Sequence, residues 1–339
     1  MSTLAPHRLR FGVLSTARIG WTSVCPAIHA SRNAELGAIA SRDLGQAGDF
    51  AKEALIPRHY GSYDELLQDP EIDAVYIPLP NSLHLEWAIK AAERKKHVLC
   101  EKPLALTVGE CLEMQAAADK SDVRLMEAFM YRFHHRTQRL LDMARGGVVG
   151  DLRMIRSAFT FRLTRPDNIR LRADLGGGAL MDVGCYCVDI SRRLAGTLPV
   201  EAQAWSTQGS SGVDTQFAGS LRFENGLVAQ FDCALDIERR EFVEVVGVDG
   251  TLVASEAFVS GPGGVEIVER HGRGPETRHA IAGEDPYQRM VEHFADAVLT
   301  GEPVRYGVAD AAGTMAIIEA LKRSAAAGGR PMPVEDQVQ

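Results

Sequence analysis

"HVLCEKPLAL", residues 97–106, runs an apolar stretch, His97-Val98-Leu99-Cys100, straight into Glu101-Lys102-Pro103. A buried strand that stops in an acid, a base and a proline delivers two charges to one end of a sheet. Its neighbours have the same construction. "IDAVYIPLP" (72–80) reads as a strand ended by prolines, and "NSLHLEWAIKAAERKK" (81–96) as an amphipathic helix with Asn81 placed as N-cap. "TVGECLEMQAAADKS" (107–121) is a helix opened by Thr107, and "VRLMEAF" (123–129) is the next strand. Upstream, "RLRFGVL" (8–14) and "AELGAIAS" (34–41) are strands, each followed by a helical pattern, over about 18–30 and 42–54. Continuously apolar strands alternating with helices predict a doubly wound parallel sheet covered on both faces. Ligands of such a sheet sit beyond the carboxyl ends of its strands. That is where Glu101-Lys102 and Pro80-Asn81, with His84 after them, fall.

The character changes near residue 128. "LRMIRSAFTFRL" (152–163), "VEAQAWST" (200–207), "TQFAGSLRFENGLVAQFDCAL" (215–235) and "FVEVVGVDGTLVAS" (242–255) alternate as antiparallel strands do. Asn225-Gly226 and Asp249-Gly250 are hairpin turns. Two late helices, about 286–299 and 308–325, are expected to complete this region, and "GGR" (328–330) and the polar end "VEDQVQ" (334–339) read as a frayed tail. The fold class is thus α/β followed by α+β. Residues 1–128 are expected to form a Rossmann-type doubly wound domain, and 129–339 a domain with an open, mainly antiparallel sheet.

The chain has 339 residues, 45% of them hydrophobic and 24% charged, with a formal net charge of −8. An acidic chain without a basic block argues against nucleic acid and anionic membrane as partners. The beginning, MSTLAPHRLRFGVL, lacks the apolar core of a signal peptide, and no apolar run is long enough for a bilayer. Six cysteines make no Cys-x-x-Cys pair and no zinc spacing. A reduced, cytoplasmic protein is expected, with no metal and with Cys25, Cys100 and Cys111 as small core residues. Trp21, Trp87 and Trp205 are read as packing residues.

The first turn, Ser15-Thr16-Ala17-Arg18-Ile19-Gly20, puts Ser15, Ala17 and Gly20 where a dinucleotide fingerprint has three glycines. Alone this reads equally well as any tight βα turn. Small residues and a helix N-terminus still allow a pyrophosphate to approach, and the first turn of a doubly wound series is where such a site belongs. At the end of the second strand an NAD site usually carries an acid. Here Ser41-Arg42 offers a hydroxyl and a guanidinium, which suit the 2′-phosphate of NADP rather than NAD; Asp43 next door weakens that preference. Lys102 would project into the same crevice, where a lysine can bond a substrate hydroxyl and shuttle a proton. Pro103 fixes the exit of the chain and is a candidate cis bond. A lone Glu-Lys-Pro also suits a surface charge pair before a loop.

Together with "PLPNSLH" (78–84) and "RADLGGGALMDVGCYCVDI" (172–190), the run resembles the glucose–fructose oxidoreductase / inositol dehydrogenase (Gfo/Idh/MocA) family over nearly the whole chain. The resemblance implies that Lys102 is the active-site lysine and that Glu101 braces the cofactor site. It implies that Leu79, Pro80, Asn81 and His84 lie near the nicotinamide ribose. In "ALMDVGCYCVDISRRL" (179–194), read as a helix, Leu180, Val183, Cys187, Ile190 and Leu194 share one face. Asp182, Tyr186, Asp189 and Arg193 share another. Asp189 and Arg193 are read as a solvated stripe; for Asp182 and Tyr186 the resemblance implies catalysis. Many relatives have His where Tyr186 stands, and the tyrosine version is similar to NADP-linked sugar dehydrogenases, dimeric dihydrodiol dehydrogenases and nucleotide-sugar 3-ketoreductases.

The expected function is hydride transfer between NADP and a carbon of a pyranose sugar, with Lys102, Tyr186 and Asp182 catalytic, in a homodimer or homotetramer. A nucleotide-linked 3-ketosugar reductase is the alternative within the family, and a catalytically silent NADP-binding sensor the alternative outside it. His134 and His135 are read as cleft-lining or surface residues, and Arg162, Arg165 and Arg170 as possible partners of a phosphate or sugar hydroxyl.

Overall fold

Residues 8–335 are described by the structure, a computed structural model; the first seven residues and the tail beyond 335, with the readings placed on them, lie outside the described residues. The chain divides into two units. One comprises the chain up to Met130 together with Asp285–Ala311, and the other comprises Tyr131–Glu284 together with the chain from Ala312.

The first unit is a six-stranded parallel sheet: β1 (Leu9–Leu14), β2 (Ala34–Ala40), β3 (Arg58–Tyr60), β4 (Ala74–Ile77), β5 (His97–Glu101) and β6 (Leu125–Ala128), in the order β3-β2-β1-β4-β5-β6. Every pair is parallel. Helices α1 (Cys25–Ala30), α2 (Leu44–Glu53), α3 (Tyr63–Leu67), α4 (His84–Glu93) and α5 (Val108–Ser121) connect the strands. Chain order reverses between β1 and β4, which makes a switch point with a crevice at the carboxyl edge. Thr107 opens α5 as its spacing predicts: its hydroxyl accepts from the Glu110 amide, and the Glu110 carboxylate accepts from Leu106. Asn81 does not cap α4. It starts a single 3-10 turn, Asn81–Leu83, and α4 begins at His84 with no side-chain cap. The short β3 and α3 carry too few residues for a periodic pattern and are not legible in the sequence.

The second unit holds a nine-stranded mixed sheet. Its strands are β7 (Leu152–Arg162), β8 (Glu201–Gln208), β9 (Asp214–Arg222), β10 (Val228–Ala234), β11 (Asp236–Gly247), β12 (Thr251–Ser255), β13 (Val265–Arg270), β14 (Thr277–Ile281) and β15 (Met332–Pro333). Their order is β14-β13-β12-β11-β7-β10-β9-β8-β15. Only β7 and β10 run parallel; the other neighbours are antiparallel. Both predicted hairpins are present, with Gly226 at φ +82° in the first. Helices α6 (His135–Arg145) and α7 (Cys185–Ala195) belong to this unit. Between the two stretches expected to fray, Met332–Pro333 forms β15, paired to β8. The sequence reading misses β13 and β14.

The last two helices, α8 (Pro286–Thr300) and α9 (Val308–Ala326), part company. The sequence reading gives both to the second domain, but α8 packs on the first unit. Phe294 meets Phe11 of β1 with ring centroids 5.9 Å apart, and the Asn33 side-chain amide donates to the Glu292 carbonyl (2.9 Å) and the Asp296 carboxylate (2.8 Å). Burying Phe294 in this way contributes about 1.5–3 kcal/mol. Chain order alone does not reveal which core an amphipathic helix completes.

Candidate active site

The first unit gathers its polar residues at the carboxyl edge. After β1 the backbone turns at Ser15, whose φ of +132° is a conformation that favours glycine. The chain thus keeps the shape of a glycine fingerprint with a serine in its first place. The Ser15 hydroxyl repays this locally: it accepts from the Ala17 amide (2.9 Å) and reaches the Pro78 carbonyl (3.5 Å) beyond β4, across the switch point. Thr16, Ala17 and Ile19 are half-buried, Arg18 is exposed, and a π-turn, Gly20–Val24, leads into α1. At the end of β2, Ser41 is buried and Arg42 exposed. The Asp43 carboxylate, which might have opposed a phosphate, is engaged as the N-cap of α2, accepting from Gln46 (3.0 Å). Small turn residues, glycine-like backbone and a guanidinium beside a committed acid fit a dinucleotide carrying a 2′-phosphate.

After β5, Glu101 and Lys102 are half-buried and the Lys102–Pro103 bond is cis. Tyr76 of β4 donates its hydroxyl to Glu101 Oε1 at 2.6 Å, and the Lys102 amide donates to Oε2 at 3.3 Å. Burial raises the Glu101 carboxyl above the usual range; the Tyr76 bond and the Lys102 charge pull it back. His84 lies behind this edge. It is wholly buried, with Nδ1 3.0 Å from the Pro103 carbonyl and Nε2 2.9 Å from that of Leu79. It ties the end of β4 to the exit from β5, so its own ring nitrogens are occupied by main chain. Burial lowers its pKa. Leu79 is buried, and Pro80 and Asn81 are half-buried at the same edge.

In the second unit, the segment read as one helix is a π-turn, Leu180–Gly184, followed by α7. Asp214 of β9 holds its start, accepting from the Leu180 amide at 2.7 Å. Gly178, at φ +116°, is what lets that carboxylate in, since a Cβ there would lie 2.2 Å from Asp214 Oδ1. Asp182 is half-buried and accepts from Arg170 Nε at 2.6 Å, so this acid is paired within its own unit. Of the arginines read as partners for a phosphate or sugar hydroxyl, Arg170 thus holds Asp182, and Arg165 pairs with exposed Asp167. Tyr186 is buried against Phe159, Tyr131 and Phe258, with ring centroids 5.3–5.5 Å away. Three rings from distant parts of the sequence therefore fix its plane.

Asp189 overturns its reading as a solvated residue. It is 0% exposed, and both its oxygens accept from Arg132 (2.9 and 3.0 Å). Arg193 (2.8 Å), Thr314 (3.0 Å) and the Tyr131 hydroxyl complete its shell. The arginines hold its pKa well below the carboxylate range despite burial. His134 is buried and its Nδ1 accepts from the Arg136 amide; His135 is exposed and pairs with Glu284. Trp87 packs edge-on against Tyr63 and Trp21, though 39% exposed, edge-on against Phe50, whereas Trp205 is 55% exposed. No signal in the sequence points to Tyr131, Arg132, Asp214 or Phe258.

The model of an oxidoreductase family with an NAD-binding Rossmann fold matches residues 9–129, and that of the GFO/IDH/MocA C-terminal domain matches residues 137–253. D-xylose 1-dehydrogenase (NADP(+)) 2 of Haloferax volcanii is 41% identical over 322 residues, 94% of this chain and 98% of that protein. A 3-ketoreductase from Actinomadura kijaniata, solved with NADP and TDP-benzene, is 28% identical with a TM-score of 0.89, covering 94% of this chain and 98% of its own. An aldose-aldose oxidoreductase from Caulobacter crescentus is 27% identical with a TM-score of 0.89, over 96% and 100% of the two chains. The chain belongs to the GFO/IDH/MocA oxidoreductase family.

Proposed function

We propose that this protein is an NADP-dependent oxidoreductase acting on a CH–OH carbon of a pyranose sugar. The observation that carries the reading is Lys102, set beside a bonded Glu101 at the carboxyl edge of the parallel sheet, the edge at which the Ser15–Gly20 turn also lies. The dinucleotide supplies the hydride acceptor or donor when bound. Ser15, Thr16, Ala17, Arg18 and Ile19 hold its pyrophosphate, Ser41 and Arg42 its 2′-phosphate, and Leu79, Pro80 and Asn81 border its ribose, with His84 bracing them. Lys102 orients the substrate hydroxyl, and Lys102 and Tyr186 serve one proton transfer. Asp182, held by Arg170, bonds the sugar.

Likeness to an NADP-linked xylose dehydrogenase along nearly the whole chain favours a free aldose. A dTDP-3,4-didehydro-2,6-dideoxy-alpha-D-glucose 3-reductase of Saccharopolyspora spinosa, 33% identical over 87% of this chain, keeps a nucleotide-linked ketosugar as the second reading. The test is NADPH formation with a panel of aldoses, and NADPH consumption with nucleotide-linked ketosugars. Turnover in the first arm is expected. Turnover only in the second transfers the assignment, and none in either leaves the silent sensor.

The uncovered face of the second sheet, with Trp205, Arg156 and Gln230 exposed and Phe242 half-buried, supports pairing of two copies as a homodimer or dimer of dimers. Light scattering at micromolar concentration should give at least twice the chain mass. Six buried thiols, none in a disulfide, suit a reducing compartment such as the cytoplasm. No helix among the described residues is long and apolar enough to cross a membrane.

A further inference from the structure

We propose that Tyr76 is a positioning residue for Lys102: its hydroxyl fixes the Glu101 carboxylate, in ionised form, beside the lysine, while its ring supports the dinucleotide turn. The inference rests on the reading of Lys102 as the active-site lysine. Tyr76 is fully buried in β4, paired in register with Val13 of β1 and Leu99 of β5. That places it under the switch point. A Cβ added at Gly20 would lie 3.9 Å from its ring edge, so the ring forms the floor of the turn. Its hydroxyl crosses to β5 and donates to Glu101 at 2.6 Å. One side chain thus touches both the turn and the acid next to Lys102.

The chemistry follows from the donors. Glu101 accepts from two groups, the Tyr76 phenol and the Lys102 amide. With the phenol donating to one oxygen and the amide to the other, both bonds favour the carboxylate; a protonated carboxyl would have to turn its O–H onto the Tyr76 oxygen and so give up the phenol's bond. Against the charge stand burial and the like charge of Glu127 on β6, whose Oε1 holds the Leu104 amide. Lys102 stands for it. Tyr287 of α8, hydrogen-bonded to Ser23, and the thiol of Cys100 also face the acid, and Glu101 pushes the pKa of both upward. Without the Tyr76 hydroxyl the carboxylate loses one of the two donors that hold it, and the balance moves toward the protonated acid. Lys102 then loses a neighbouring negative charge, and losing one lowers the pKa of an ammonium.

The experiment uses Tyr76→Phe, Glu101→Gln and the double variant of the full chain. Infrared spectroscopy near neutral pH should show a new protonated-carboxyl band in Tyr76→Phe that the double variant lacks. NADP affinity by fluorescence titration should stay within about twofold, because the phenylalanine ring keeps the floor of the turn. The limb of kcat that rises with pH in sugar oxidation should move to lower pH by about one unit in both single variants, with no further move in the double. A Tyr76→Phe protein that melts lower but keeps the wild-type limb and shows no new band overturns the proposal, as does a new band without movement of the limb. If the wild type oxidises no sugar, the reading of function fails on its own, and the infrared arm still decides whether Tyr76 holds the charge.

Discussion

The carboxyl edge of the first sheet and the helical segment lying on the second hold their polar groups by different means. In the first unit the partner is mostly main chain. His84 lies between the carbonyls of Leu79 and Pro103, the Lys96 ammonium donates to those of Asp69 and Ile72 (2.7 Å each), and Glu127 accepts from an amide. In the second unit the acids along the α7 segment are held by side chains instead: Asp189 by Arg132, Arg193 and Thr314, and half-buried Asp182 by Arg170. A parallel sheet brings the ends of its strands to one edge whatever their side chains, so its crevice is built by backbone. A helix lying on an open sheet has no such edge, and side chains from afar must set its orientation. Function carried by the first unit should therefore be lost without loss of fold, whereas the second unit should lose both together.

The sharpest test is at Lys102. Lys102→Met should abolish measurable turnover while NADP binds with near-normal affinity and the melting temperature holds. Tyr186→Phe should lower kcat by about 10²–10⁴-fold, the usual share of general acid–base catalysis. If the two serve one proton transfer, the double variant should be hardly worse than Lys102→Met alone. Normal turnover in Lys102→Met would break the assignment, and an unaffected Tyr186→Phe would leave Lys102 as the lone proton carrier.

Asp189→Asn probes the other side of the comparison. It leaves Arg132 and Arg193 buried without their counter-charge, and breaking such a pair costs about 3–5 kcal/mol. The change should appear as a fall in urea midpoint, and kcat per folded molecule should fall too, because Tyr131 bonds Asp189 and packs on Tyr186. A variant that melts like wild type would show that the cluster contributes less than its geometry suggests.

The same contrast explains what could be read in advance. The six-stranded sheet, its switch point and the place of Glu101-Lys102 were legible because apolar runs and their ends are local signals. So was the α7 stripe: Leu180, Val183, Cys187, Ile190 and Leu194 are all buried. Its polar stripe was misread because Asp182 and Asp189 look alike in sequence. Only Arg132, 57 residues upstream, separates a half-buried acid from the centre of an ion cluster. The capture of α8 by the first unit was hidden for the same reason, since Phe11 and Phe294 meet across nearly the whole chain. At Asn81 the cap signal misled: Asn81 is the first residue of a 3-10 turn whose cap position is Pro80, and α4 starts only at His84.

Cofactor choice gives a smaller effect. Arg42→Ala should weaken NADP binding by about 1.5–3 kcal/mol, the worth of a charge-assisted hydrogen bond, and leave NAD binding alone. Because Asp43 is engaged in capping α2, Arg42→Ala should not by itself create tight NAD binding. Equal losses for both dinucleotides in a fluorescence titration would place Arg42 outside the 2′-phosphate site.

The smallest effect separates the units by the sign of a pH dependence. Burial lowers the pKa of His84, His97 and His293, all in the first unit. On acidification from about pH 7.5 to 5.5, the unfolded chain binds protons at these positions near pH 6.5 while the folded unit resists them. Their contribution to stability is complete above the unfolded value and falls as the pH drops through it toward the folded value, by at most about 1.4 kcal/mol per pH unit for each. In the second unit, exposed His271 has its pKa raised by Glu269 and by the Asp249 carbonyl. Its contribution is complete below the unfolded value and fades as the pH rises through the folded one, the opposite sense. Glu101, with its raised pKa, opposes the histidines within the first unit, so the useful quantity is a difference between proteins. His97→Gln should flatten the fall of first-unit stability with acidification, read as hydrogen-exchange protection of β5 and β6, and leave that of β13 and β14 unchanged. An identical slope in wild type and variant would remove His97 from the account and leave burial of His84 and His293 to carry it.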